Sequence, residues 1–131
     1  MKIAHIAIWC KDLERTKLFY EKYFQAKAGN KYINKEKHFE SYFLAFNNSN
    51  TRLELMHKPN ILEIPMSTNV QHLGLAHIAY CAESREMVES LTKKLRNDGY
   101  YIIGEPRVTG DGYYESIVLD PEGNIIEICD K

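Results

Sequence analysis

Two four-residue segments from the first half of the chain return in the second half at almost the same spacing, and this repeat constrains the fold more than any other feature. His5-Ile6-Ala7-Ile8 is matched 72 positions later by His77-Ile78-Ala79-Tyr80. Arg52-Leu53-Glu54-Leu55 is matched 73 positions later by Ile125-Ile126-Glu127-Ile128. A near-constant offset across everything between the segments argues for a duplicated structural module.

The hydrophobic patterning gives each half the same order: strand, helix, strand, strand, strand. Residues 3–9 form an apolar, β-branched run expected to be a strand. Asp12 is a candidate N-cap, after which Leu13, Thr16, Phe19/Tyr20 and Tyr23/Phe24 recur at helical steps. Residues 27–37 are polar and read as loop with a short strand near Tyr32-Ile33. Strands are expected at 39–46 and 51–56, around the turn Asn47-Asn48-Ser49-Asn50. Residues 57–73 carry Pro59 and Pro65 and no sustained period, so they read as a surface linker.

In the second half a strand is expected at 75–81, then a helix capped by Ser84 and stopped by Asn97-Asp98-Gly99. A strand at 100–103 and a loop at 104–112 follow. The chain closes on a hairpin, 116–119 and 125–129, around Asp120-Pro121-Glu122-Gly123. The expected organisation is one domain over 1–131: a first module at about 1–57, a linker at about 58–73 and a second module at about 74–131.

Composition narrows the function classes. The 131 residues make one domain's worth of chain, with apolar (44%) and charged (27%) fractions of an ordinary globular protein. A net charge of -1 gives no general attraction to nucleic acid or an anionic membrane. No apolar run approaches the roughly 20 residues a membrane span needs, and Met1-Lys2 leads directly into a strand, so no signal peptide is expected. Cys10, Cys81 and Cys129 are odd in number and lack CxxC spacing, which argues against a disulfide framework or structural zinc and for a reducing cytoplasm.

Strand parity carries the functional argument. Side chains alternate faces along a strand, so Ala4, Ile6 and Ile8 oppose His5, Ala7 and Trp9, and Leu53 and Leu55 oppose Arg52, Glu54 and Met56. In the second half Ile78 and Tyr80 oppose His77 and Ala79, and Ile126 and Ile128 oppose Glu127. One face of each strand suits packing under a helix; the other carries one His or one Glu. Two imidazoles and two carboxylates brought together would suit Zn, Ni, Co, Mn or Fe. The structural alternative is a satisfied strand histidine, and a glutamate that is solvated or paired with Arg52 or Arg107.

At these residues the chain resembles the vicinal oxygen chelate superfamily, which includes glyoxalase I, bleomycin and fosfomycin resistance proteins, extradiol dioxygenases and methylmalonyl-CoA epimerase. The resemblance runs along essentially the whole chain. It is carried by HIAIWCKDLERTKLFYEKYF, LELM, LAHIAY and ESIVLDPEGNIIEI, and it is strongest to glyoxalase I-like bacterial members. It implies an α+β fold of two tandem βαβββ modules forming a cup-shaped mixed β-sheet with helices outside. It also implies one divalent metal per site on His5, Glu54, His77 and Glu127. The implied activity is that of a lyase or isomerase: the metal stabilises an enediolate or enolate while Glu127 or Glu54 moves a proton on a small molecule. Short members commonly form homodimers, with the cup built within one chain or across two.

The chain departs from glyoxalase I where Trp9 replaces an arginine that helps hold the glutathione carboxylate, and at Met56-His57-Lys58-Pro59. The expected substrate is therefore smaller, partly aromatic and anionic, met by Trp9, Phe43, Arg52, Met56, Arg107, Tyr113 and Ile117. Two other classes stay open: a bleomycin-resistance-type protein that binds an aromatic ligand without chemistry, and an extradiol-type dioxygenase. The dioxygenase would need a further acid–base histidine, with His57 and His72 as candidates and His38 expected outside the cup.

Overall fold

The computed structural model describes residues 1–63, 71 and 73–130. The chain divides into two compact units, Met1–Ile64 and Pro65–Lys131, and each is a βαβββ module with a helix packed on one sheet face. His72 and much of the expected linker (64–70) lie outside the described residues.

The first unit contains β1 (His5–Trp9), α1 (Leu13–Phe24), β2 (Lys27–Ala28), β3 (Tyr32–Asn34), β4 (Phe39–Ala45) and β5 (Arg52–His57). The sheet order is β1-β5-β4-β2, with β3 also on β4; β1 runs parallel to β5, and the other pairs are antiparallel. The α1 helix begins where the Asp12 carboxylate accepts the Arg15 amide hydrogen at 2.9 Å, satisfying one of the first turn's orphan donors. It buries Leu13, Thr16, Phe19, Tyr20 and Tyr23 on the sheet face presenting Ile8, Leu44, Leu53 and Leu55. Each buried aliphatic side chain there contributes about 1.5–3 kcal/mol.

The second unit contains β6 (Ile78–Cys81), α2 (Arg85–Asn97), β7 (Ile102–Val108), β8 (Tyr114–Leu119) and β9 (Ile125–Asp130), in the order β6-β9-β8-β7. Again the first and last strands pair in parallel. Ser84 caps α2, whose Val88, Thr92 and Leu95 are buried with Val118, Ile126 and Ile128 of the sheet. The Thr92 hydroxyl lies 2.6 Å from both the Val88 carbonyl and the Ser116 hydroxyl, so the polar atoms beneath the helix are satisfied. The β8–β9 turn is held by Asp120: its Oδ1 accepts the amide hydrogens of Glu122 and Asn124 at 2.9 and 2.8 Å, and Gly123 sits at φ 86°.

Several boundaries differ from the sequence expectations. The first strand starts at His5, and β6 starts at Ile78, so His77 lies just ahead of its strand. His57 closes β5 instead of opening the linker. In the polar stretch 27–37 the short strand expected near Tyr32-Ile33 forms as β3, and a second, β2, was not expected; both pair with β4. The largest difference is β7, which continues to Val108 through the expected loop and carries Arg107. Pro106 is tolerated because β7 is the outer strand of its sheet. Register shifts on either side of Gly104 mark its irregular path. A Cβ on Gly104 would sit 3.0 Å from Arg107 Nη1 and 3.3 Å from Ile117, so this glycine marks close packing and not a loop.

Candidate functional site

The register places the singled-out residues of the first unit on one face. Ala7 is opposite Glu54 on one side, Phe43 is opposite it on the other, and Trp9 is opposite Met56. His5 Nε2 lies 3.6 Å from Glu54 Oε2. The His5 ring meets Phe43 edge-on with centroids 5.3 Å apart, and the Arg52 guanidinium lies 4.2 Å above the same Phe43 ring. Arg52 therefore covers an aromatic face and leaves Glu54 to His5. Trp9 is 41% exposed; it meets Phe39 edge-on at 6.3 Å, and Lys58 Nζ lies 4.9 Å over it.

The second unit repeats the arrangement. Ala79 and Ile117 flank Glu127 as Ala7 and Phe43 flank Glu54. His77 Nε2 lies 3.4 Å from Glu127 Oε2. In both pairs the carboxylate is the more buried member, at 14% and 18% side-chain exposure against 41% and 46% for the imidazoles. Arg107 reaches this face but pairs with Glu115, Nη2 to Oε1 at 3.2 Å. Tyr113, half-buried just before β8, is placed by its carbonyl, which accepts the Thr109 amide hydrogen at 2.8 Å.

Sequence reasoning passed over Glu115. It is 8% exposed and shares the face of Ile117 and Glu127. Burial first, and the Glu127 charge second, hold its carboxyl above the ordinary glutamate range, against the pull of Arg107. Its parity with Ile117 was the available signal. Cys81 and Cys129, which lack CxxC spacing, are opposite one another in the β6–β9 register. Burial first, and the Cys81 thiol beside it second, push the Cys129 thiol up to about 11.

His57 follows Met56 on β5 and so has the opposite parity to Glu54. Its Nδ1 lies 2.8 Å from the Cys10 carbonyl oxygen and donates to it, since a carbonyl only accepts. His38 occupies the turn before β4 at φ 48°. Neither supplies an acid–base group beside Glu54.

The separations in the two His–Glu pairs are those of loose ion pairs and also fit two ligands of one ion. A direct N–H···O bond spans about 2.7–3.2 Å, and both pairs are longer, at 3.4 and 3.6 Å. Two donors about 2.1 Å from one ion, with an angle of about 110–120° between them, lie about 3.4–3.6 Å apart. Within either unit the described residues gather no set of three or more His, Cys, Asp or Glu side chains placed to hold a metal; each unit offers a pair. Among the described residues no helix is long and apolar enough to cross a membrane.

Comparison with known proteins bears on the family and the fold. The family model described as Glyoxalase/Bleomycin resistance protein/Dioxygenase superfamily matches residues 2–128. Glyoxalase I from Zea mays is similar in structure, with a TM-score of 0.80 at 23% identity over 99% of this chain and 44% of that chain. A glyoxalase family protein from Enterococcus faecalis gives 0.78 at 24% identity, over 98% of this chain and 96% of its own. An uncharacterized protein of Bacillus subtilis (strain 168), YqjT, is 36% identical over 59 residues, which is 43% of this chain and 46% of that protein. The chain thus matches less than half the length of YqjT and of the maize enzyme. With the family model spanning nearly every residue, and with a duplicated βαβββ module as the fold, the chain belongs to the glyoxalase/bleomycin resistance protein/dioxygenase superfamily.

Proposed function

We propose that the chain is a divalent-metal-dependent lyase or isomerase that moves a proton on a carbon next to a carbonyl of a small substrate. The observation that carries this reading is the repeated His–Glu pair at matching positions of both modules, 3.6 Å apart in one and 3.4 Å in the other. His5, Glu54, His77 and Glu127 would hold one ion of Zn, Ni, Co, Mn or Fe, with the four donors drawn from one chain or from two chains of a homodimer. When bound, the ion supplies Lewis-acid stabilisation of negative charge developing on substrate oxygen.

The chain's own groups do the rest. Glu127 or Glu54 accepts the proton, each being a partly buried carboxylate on the same face as its histidine. Trp9, Phe43, Met56 and Ile117 supply an apolar, partly aromatic surface that excludes water. Arg52, held over Phe43, offers a cation for an anionic substrate group. Tyr113 and Arg107 border the second module's face. With Trp9 at the position of a glutathione-contacting arginine, the substrate is read as smaller than a glutathione adduct.

Metal analysis of the purified chain tests the proposal. One divalent ion per set of four donors is expected, and His5→Gln and His77→Gln should each abolish tight binding, since both halves serve one ion. If each replacement merely halves the metal content, the pairs hold separate ions and the shared centre is wrong. If the native chain binds no divalent metal, the lyase or isomerase reading fails. Exposed Trp9 beneath Lys58 would then favour the second reading, an aromatic-ligand-binding protein without chemistry.

A further inference from the structure

We infer that Cys81 and Cys129 form a peroxide-oxidisable dithiol, a modification site independent of the metal reading. The two residues are 48 positions apart in sequence but directly opposite in the parallel β6–β9 register, so their side chains leave the same face of the sheet. Cys81 is exposed and Cys129 is buried, which gives the pair one sulfur open to a solvent oxidant and one shielded sulfur beside it.

Neighbouring strands lie about 4.7–4.9 Å apart, inside the Cα–Cα window of about 4.4–6.8 Å for a disulfide. The equivalent positions of the first module hold Trp9 and Met56, which are opposite one another in the β1–β5 register. The dithiol is therefore a property of the second module alone. Cys10, in the first unit, is 1% exposed, with its Sγ 4.0 Å from the Ile8 carbonyl oxygen.

The oxidant is a hydroperoxide. The Cys81 thiol gives up its proton and its sulfur attacks one peroxide oxygen; the O–O bond breaks, and the second oxygen leaves with that proton as water (or as an alcohol, from an organic hydroperoxide). Cys81 is then a sulfenic acid. The Cys129 sulfur attacks the Cys81 sulfur, the S–O bond breaks, and the hydroxyl leaves as water with the proton from Cys129. Two thiols are oxidised to one disulfide and one peroxide is reduced.

The test treats the full chain, kept folded and free of added metal, with a small excess of hydrogen peroxide. Three free thiols should fall to one, the mass should drop by about 2 Da for a disulfide, and digestion should link the peptides of Cys81 and Cys129. A mild thiol should restore all three. Cys129→Ala should stop at a sulfenic acid on Cys81, trapped by dimedone, and Cys81→Ser, at an exposed position, should leave Cys129 reduced. Retention of all three thiols by the folded native chain would overturn the inference, as would a link involving Cys10 or an unlinked sulfinic acid at Cys81. Because no assay step uses metal or substrate, failure here leaves the metal reading standing, and the reverse also holds.

Discussion

Asp120→Ala is expected to remove a large part of the chain's stability even though the residue lies in a turn. Asp120 is 4% exposed, and it organises the link between β8 and β9. Its Oδ1 accepts the Glu122 and Asn124 amide hydrogens at 2.9 and 2.8 Å, and its Oδ2 accepts from Asn124 Nδ2 at 2.9 Å. A hydrogen bond to a charged partner is worth about 1.5–3 kcal/mol when buried. Three such bonds set an upper bound, but the donors lie in a half-buried turn that water reaches once the carboxylate is gone. The expected net loss is about 3 kcal/mol, the scale of removing a strong cap together with one buried bond. Urea unfolding followed by far-UV circular dichroism would show it as a midpoint lowered by about 1–3 M, given m-values of about 1–3 kcal/mol per M. Asp120→Asn keeps an oxygen for both backbone amides and gives up only the contact with the Asn124 side chain, so it should cost about 1 kcal/mol. If Asp120→Ala costs less than about 1 kcal/mol, or if the asparagine variant is as damaging, the turn does not depend on these bonds.

Further outcomes follow from the same structure. Glu127→Gln keeps the size of the side chain but removes a charged donor, so metal affinity should fall by at least about tenfold and turnover should cease, while the urea midpoint stays close to native. Thr92→Val fills the same space but leaves the Ser116 hydroxyl beneath α2 without its 2.6 Å partner; unfolding should show a loss of about 1–3 kcal/mol, and a fully native midpoint would refute the network's role. Glu115 has its pKa raised above 4.5, so the folded state holds that proton more tightly than the unfolded chain. Its contribution is present below the unfolded value and is lost as pH rises through the folded one. Metal-free Glu115→Gln should therefore show a flatter fall in stability above about pH 4.5 than the native chain, and unchanged pH profiles would remove Glu115 as the cause.

The sequence by itself determined the repeated module, both helix starts and the face on which His5, Trp9, Arg52, Glu54, Met56 and Glu127 lie. The reason is that period-two and period-3.6 patterning are local and survive without knowledge of contacts. Asp12 and Ser84 each cap a helix as their sequence positions implied. Asp120-Pro121-Glu122-Gly123 turns the final hairpin for the same local reason. Where the reading misplaced a boundary, a neighbouring strand had overridden local propensity. Pro106 and Gly104 look like loop residues, but the outer position of β7 leaves no ladder bond for proline to forfeit, and tight packing against Ile117 needs a residue without a side chain.

Only the tertiary structure decided who meets whom. Strand register turned four separated letters into two His–Glu pairs, gave Arg107 to Glu115, set Arg52 over Phe43 and brought Cys81 opposite Cys129. Each of those contacts joins residues far apart in the chain or on different strands. Spacing along the chain carries no measure of such proximity, because pairing is fixed by which apolar faces share a helix.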